Sequence, residues 1–336
     1  MKFILILFLI ITLFQSNTFA QTNVKLIMTG SQSDEIIRSD MFDRNQHEIY
    51  EKTYSDTLTY HFTKSPKVEE FWIRYFTGDK MFRNTIWLDK GEVIVYVHLG
   101  KEELVIDSII NSSIDDDINN YYRELKHVPR EKINSFKLEQ IEKFINTPFS
   151  FDIGDSYLMN NSMSKQNLLP LKDVFKLQGK QFTNRNDYQN VVGKLNILLS
   201  IDQINLKNYF FTDRFNKIKQ TQIPNAKYYL LDFWHLGCAP CREDHKKIKS
   251  NLNNFNNKGV EVIGISTDEN IGDWQNYLSL NGYNWTNFNV PENNKILDDL
   301  KIGSYPSYFL IDSNFNFIGV FANIEHFQYN FLNKIE

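Results

Sequence analysis

Apolar and polar positions follow three different rhythms along this chain. Phe3 to Phe14 is almost continuously apolar behind Lys2, and Thr18-Phe19-Ala20 ends in a small residue before Gln21. That is the layout of an export signal, and its apolar run has about half of the ~20 residues that a membrane span needs. Residues 1–20 are therefore expected to be a cleaved signal peptide. No Cys follows the cleavage point, so a lipoprotein is not expected. No later segment is long and apolar enough to span, so no stable membrane insertion is expected after cleavage.

A period of two begins after the signal. Thr57 to Phe62 and the stretch around Phe71 to Phe76 alternate, and Ile86 to Leu88 and Val93 to Val97 flank an Asp89-Lys90-Gly91 turn. Leu104 to Ile110 adds a further strand. From Asp115 to about Leu199 the period becomes helical. Leu138, Ile141 and Ile145 predict a helix that stops before Pro148, and Leu168 to Leu177 and Tyr188 to Leu199 predict two more.

Short apolar runs then alternate with helical patterns. Tyr228 to Trp234 and Val260 to Ser266 read as buried strands. Cys241 to Phe255, Asp273 to Leu280 and Lys295 to Leu300 read as helices. Tyr308 to Asp312 and Phe315 to Val320 form a hairpin across Ser313-Asn314, and a last helix starts near Glu325. This order implies a parallel pair joined by a crossover, followed by an antiparallel hairpin. The expected organisation is a β-rich domain over 21–113, a helical segment linked to it over 114–200, and an α/β domain over 201–336.

Composition adds exclusions. The 336 residues carry a formal net charge of −4, 15% aromatic residues, and no basic cluster, which argues against a nucleic-acid partner. No Gly-x-Ser-x-Gly elbow, Rossmann glycine pattern or P-loop occurs. Asp115-Asp116-Asp117 lacks the spaced ligands of a calcium loop and reads as a solvated helix start. Trp72 and Trp87 read as core of the β-rich part, and Trp274 and Trp285 as core of the last third.

The two cysteines, Cys238 and Cys241, carry the chemistry. A bridge across so short a loop removes little chain entropy and makes a poor staple, so an exported chain that holds this close pair is read as holding a redox device. Cys238 follows a strand and opens a helix, where unpaired backbone N–H groups and the positive dipole end stabilise a thiolate. Cys241 lies one turn further in, placed to attack a mixed disulfide from inside, with Pro240 tolerated in the first turn. Zinc is the competing reading of a Cys-x-x-Cys pair. It would need more ligands, with His235 and His245 the nearest candidates, and both histidines are expected to be solvated or to face a partner. No metal and no cofactor are expected.

The segment Leu231 to Arg242 resembles the active-site strand and helix of the thioredoxin superfamily. With an export signal and a long N-terminal extension, the chain is similar to the TlpA/ResA-like branch of bacterial envelopes, in its Bacteroidetes form with an N-terminal β domain. Ile302 to Asp312 resembles the family's cis-proline loop and following strand. The resemblance covers about residues 205–336. It implies a thioredoxin fold (a mixed sheet flanked by helices) and a cis Tyr305–Pro306 bond facing the sulfurs. Tyr305, Pro306, Trp234 and Gly237 would then be substrate-binding positions, with Trp234 also a packing support. Asp232 holds the spacing to Cys238 of the family's buried proton-handling acid, and desolvation on a buried strand would raise its pKa. Gly237 replaces the usual Trp, while Asp244 and Lys246 stand where that branch has Glu and Pro.

The expected function is a periplasmic thiol-disulfide oxidoreductase with Cys238 as nucleophile, Cys241 as resolving thiol and Asp232 as proton acceptor. It would reduce protein disulfides, serving cytochrome c maturation or rescue of misoxidised proteins, with electrons from a membrane thiol donor. An oxidase or isomerase, or a non-catalytic envelope binding protein using the fold as scaffold, are the alternatives left open by the residues.

Overall fold

The computed structural model describes residues 21–29, 36–44, 48–63, 68–78, 80–215, 218–220, 223–290 and 294–335. The expected signal peptide at 1–20 lies outside them. Contacts divide the chain into two compact units, 1–127 and 128–336.

The first unit contains β1 (Thr22–Met28), β2 (Arg38–Asp43), β3 (Ile49–Thr53), β4 (Thr57–Phe62), β5 (Val68–Phe76), β6 (Met81–Asp89), β7 (Gly91–Leu99), β8 (Leu104–Ile110) and α1 (Ile114–Leu125). Among the described residues these strands form two sheets, in the orders β4-β1-β7-β8 and β3-β2-β5-β6. Alternate residues of both sheets meet in one core, with Val24, Leu26, Tyr60, Phe62, Val93 and Val95 from the first and Met41, Phe71, Ile73, Tyr75 and Ile86 from the second. The expected turn is tight: Gly91 has φ +118°, a left-handed value that favours glycine.

Two expectations change in this unit. Asp115 is not simply solvated: it is half-buried, accepts from Trp87 N at 3.2 Å and Asn119 Nδ2 at 2.9 Å, and burial raises its pKa. Asp89 anchors the start of α1, its Oδ2 accepting from Ser113 N and Ile114 N. Trp87 is buried, but Trp72 is only half-buried, stacked on Phe42 at 6.1 Å with the Arg74 guanidinium over the Phe42 ring. β5 places Phe71, Ile73 and Tyr75 on its core face, so Trp72 falls on the other.

The second unit begins with helices α2 (Ile133–Lys143), α3 (Phe149–Asn161), α4 (Lys165–Phe175), α5 (Lys180–Thr183) and α6 (Asn186–Ser200). Then follow β9 (Phe210–Asp213), β10 (Ile218–Gln220), β11 (Tyr228–Trp234), α7 (Ala239–Asn257), β12 (Val260–Ser266), α8 (Ile271–Asn281), β13 (Thr286–Asn289), α9 (Lys295–Asp299), β14 (Ser307–Asp312), β15 (Phe317–Phe321) and α10 (Ile324–Asn330). The sheet order is β10-β9-β13-β12-β11-β14-β15, with β11 parallel to β12 and antiparallel to β14. This is the expected strand–crossover–strand followed by a hairpin. α7, α8 and α10 cover one face, joining Trp274, Ile248, Phe255 and Phe327 to Leu230, Trp234 and Val262 of the sheet. A strand buried on both faces needs a near-continuous apolar run, which β11 has but for Asp232 and β12 has from Val262 to Ile265.

The boundary between units falls inside the 114–200 segment, not at either of its ends. α1 stays with the β-rich unit, and α2 to α6 belong with the sheet that follows. The join is specific. Ser162, just after α3, donates Oγ–H to Val320 O at 2.7 Å and accepts from Val320 N at 3.1 Å, satisfying both backbone groups of a β15 residue. A Cβ at Gly319 would lie 2.4 Å from Met163 Cγ, so glycine permits this close approach.

Candidate active site

β11 aims the site. Leu230 and Trp234 lie in the core shared with α7, so period two puts Asp232 on that same face. The strand ends at Trp234, and Cys238 is the N-cap of α7. Cys238 and Cys241 form a disulfide with Cα atoms 5.3 Å apart. Cys238 Sγ accepts from Cys241 N at 3.1 Å, a donor that would also hold a thiolate in the reduced protein. Cys238 is 7% exposed and Cys241 fully buried, so an incoming sulfur meets Cys238 first.

The turn between strand and helix is held by groups with no obvious sequence motif. Asp268 accepts from Leu236 N at 2.9 Å and from Ser266 Oγ at 2.7 Å, and Asn289 Nδ2 donates to Asp268 O at 2.8 Å. The Arg242 guanidinium donates to Leu236 O. Gly237 is exposed, and a Cβ there would lie 3.1 Å from the His235 ring. Tyr305–Pro306 is cis, and the Tyr305 ring meets His235 edge-on at 4.9 Å. Tyr305, Pro306 and Gly237 thus lie beside the disulfide turn. Trp234 departs from its expected substrate contact: it is fully buried, edge-on to His245 at 4.5 Å, and supports the turn from within.

His245 is the main correction. Far from being solvated, it is fully buried, with Nε2 3.1 Å from Asp232 Oδ2 and Nδ1 3.1 Å from the Tyr277 hydroxyl. It lies four residues after Cys241 on α7 and therefore on the same helix face. That contact places the Asp232 carboxyl beneath the first turns of α7. Asp232 is fully buried. Burial pushes its pKa up, and the hydrogen bond and charge of His245 act against that rise. Its Oδ1 makes no close hydrogen bond, a costly state for an ionised carboxylate, and the Tyr308 hydroxyl nearby also acts to lower the pKa. Tyr308, opposite Asp232 across the β11–β14 ladder, donates to Asp244 Oδ2 at 3.2 Å, which also accepts from Ile324 N at 3.0 Å. Burial, then the charges of Asp232 and Asp244, hold the Tyr308 hydroxyl well above its ordinary pKa. Asp244 and His245 stand three and four residues after Cys241, the spacing of one helix face, and this was the available signal for the inner cluster.

Comparison with known proteins agrees with this geometry. Residues 225–317 match the family described as thioredoxin-like. The C-terminal unit carries a thioredoxin fold. The chain is 28% identical over 88 residues to the thiol:disulfide interchange protein HelX of Rhodobacter capsulatus, covering 26% of this chain and 48% of the relative. It is 26% identical over 107 residues to the thiol-disulfide oxidoreductase ResA of Bacillus thuringiensis, covering 32% of this chain and 61% of that one. The chain thus spans about half to three-fifths of the curated relatives it matches. Among solved structures, a thiol:disulfide interchange protein from Bacteroides sp. is similar, with 21% identity, TM-score 0.34, and coverage of 38% of this chain and 85% of that one. The thioredoxin domain of a thiol-disulfide oxidoreductase from Bacteroides vulgatus is similar at 20% identity and TM-score 0.35, covering 41% of this chain and all of that one.

Proposed function

We propose that this protein is a thiol-disulfide oxidoreductase of the bacterial cell envelope that reduces protein disulfides. The observation that carries the reading is the Cys238–Cys241 disulfide at the start of α7, with its outer sulfur near the surface and a buried Asp232–His245 pair under the helix.

The Cys238 thiolate attacks one sulfur of a substrate disulfide. A Cys238–substrate bond forms, the substrate S–S bond breaks, and the other substrate sulfur leaves as a thiolate. Cys241 then loses its proton to Asp232 and attacks Cys238 Sγ. The internal disulfide forms and the second substrate sulfur leaves. Two electrons have passed to the substrate, and two from a thiol donor restore the dithiol. A membrane thiol protein is the donor in this reading. The apolar character of Phe3 to Phe14 supports export, and among the described residues no helix is long and apolar enough to cross a membrane.

The decisive measurement is the equilibrium reduction potential of the pair in glutathione or dithiothreitol buffers. A value near that of thioredoxin, about −270 mV, is expected; a value near −120 mV would make the protein an oxidant and overturn the reductive direction.

A further inference from the structure

A cleft of about 200 Å³ is lined by Tyr305 and Pro306 and by no residue of the disulfide turn. Its volume exceeds the ~150 Å³ of an apolar cavity that admits benzene. One wall is helical: Leu158 and Met159 from α3, Ile197 and Leu198 from α6. The opposite wall is the loop from Leu300 to Pro306, and Phe309 of β14 adds apolar surface. The α3 wall is fixed to the sheet by the paired Ser162–Val320 bonds, and the Lys194–Asp155 ion pair, at 3.0 Å, joins the two helices at the lining.

Two features tie this cleft to the chemistry. Tyr305 lines it, and the same ring touches His235, whose carbonyl accepts from Cys238 N at 3.0 Å. The β11–β14 ladder begins only at Phe233↔Ser307, so the backbone from Ser304 to Pro306 lies outside it. An extended chain running along that loop advances about 3.3 Å per residue and turns alternate side chains to one face. A polypeptide whose cysteine reaches Cys238 therefore carries a nearby side chain past the cleft mouth.

We propose that the cleft is a substrate subsite: it receives one large apolar side chain, of the Leu, Met or Phe class, close in sequence to the cysteine that Cys238 attacks. The assignment rests on the oxidoreductase reading. It gives the helices before the sheet a role in selecting oxidised polypeptides, because α3 and α6 supply four apolar side chains of the lining, Leu158, Met159, Ile197 and Leu198. Met159 and Ile197 are half-buried there, and Ala322 at the rim is exposed.

The test uses the reduced full-length protein and three substrates: a small disulfide (2-hydroxyethyl disulfide) and two disulfide-linked peptides differing only by Leu or Ser near the cysteine. The Leu peptide is expected to have a kcat/KM about tenfold higher, the scale on which an apolar pocket discriminates. Ile197→Asp, which puts a charge in the cleft, and Ala322→Phe, which crowds its mouth, should each bring that ratio close to one, chiefly through KM. Small-disulfide turnover should stay unchanged in both. Equal rates for the two peptides in the unaltered protein, or a preference that survives both substitutions, would overturn the subsite alone. Loss of small-disulfide turnover in both variants would make the cleft a structural support and overturn the assignment too. If the unaltered protein reduced no disulfide, the oxidoreductase reading itself would fall, and the subsite with it.

Discussion

Asp232 concentrates the site's energetics in one side chain. Its folded pKa is raised, chiefly by burial and further by the Asp244 charge, with the His245 contact and then the Tyr308 hydroxyl acting against the rise. Between the ordinary carboxylate value of about 3.9 and the raised value, the unfolded chain has lost its proton while the folded chain keeps it. Stability therefore falls as pH rises through that window, and the cost persists above it. Asp232→Asn should raise the urea midpoint at pH 7–8, with the difference from the unaltered protein closing below about pH 4. The same substitution should slow peptide-disulfide reduction near pH 7 roughly 100-fold, the low end of what a positioned proton acceptor contributes. A more stable variant with unaltered turnover would remove Asp232 from the proton path. The spacing to Cys238 pointed to this acid, while the four-residue spacing of His245 from Cys241 put it on the same helix face without naming Asp232 as its partner. A histidine one turn after the pair reads as solvated until the sheet is seen beneath that face of α7.

Elements carry the site through a few side-chain bonds at their ends. α3 was not expected after Pro148, because its pattern mixes Phe, Tyr, Ser and Asp with apolar residues on several faces. Its burial on more than one side explains the pattern: it packs with neighbouring helices and ends against β15. Ser162→Ala would leave Val320 N and O without their buried partner. It should destabilise the chain by about 1–3 kcal/mol in urea unfolding. An effect within ~0.3 kcal/mol would mean that the helix end is held by packing alone. The short strands β9, β10 and β13 also escaped the reading, since three or four residues show too little periodicity to stand out.

At the scale of the molecule, the helices α2 to α6 and the sheet behave as one unit, and a buried cation lies among them. Lys137 on α2 donates to Ser156 Oγ at 2.7 Å, and burial lowers its pKa to about 8. His326 on α10 is held below its ordinary value by burial and then by Lys137. Between about pH 8 and the ordinary lysine value near 10.4, the folded protein has released a proton that the unfolded chain still binds. Stability attributable to Lys137 therefore rises with pH across that window, and the cost of burying the cation is fully present below it. Lys137→Met should stabilise the protein at pH 7 by up to about 3 kcal/mol and flatten the alkaline limb of its stability profile. A destabilised variant at pH 7 would show that the Ser156 bond outweighs the burial cost.

Local pattern was enough for much of this. The order β11-α7-β12 and the β14–β15 hairpin follow from runs of apolar residues, because buried parallel strands and amphipathic helices differ in period over short windows. The strand-to-helix position of the cysteine pair follows from the same local rule. Partnership between distant segments did not follow. His245 against Asp232, Asp268 under the active turn, Ser162 on Val320, and α3 and α6 beside Tyr305–Pro306 are all contacts across large separations in sequence. No local period encodes such contacts, since each depends on how layers stack once the sheet has formed. The sequence alone determined where a disulfide device would sit; the tertiary structure decided what surrounds it, what charges lie beneath it and which cleft opens at its side.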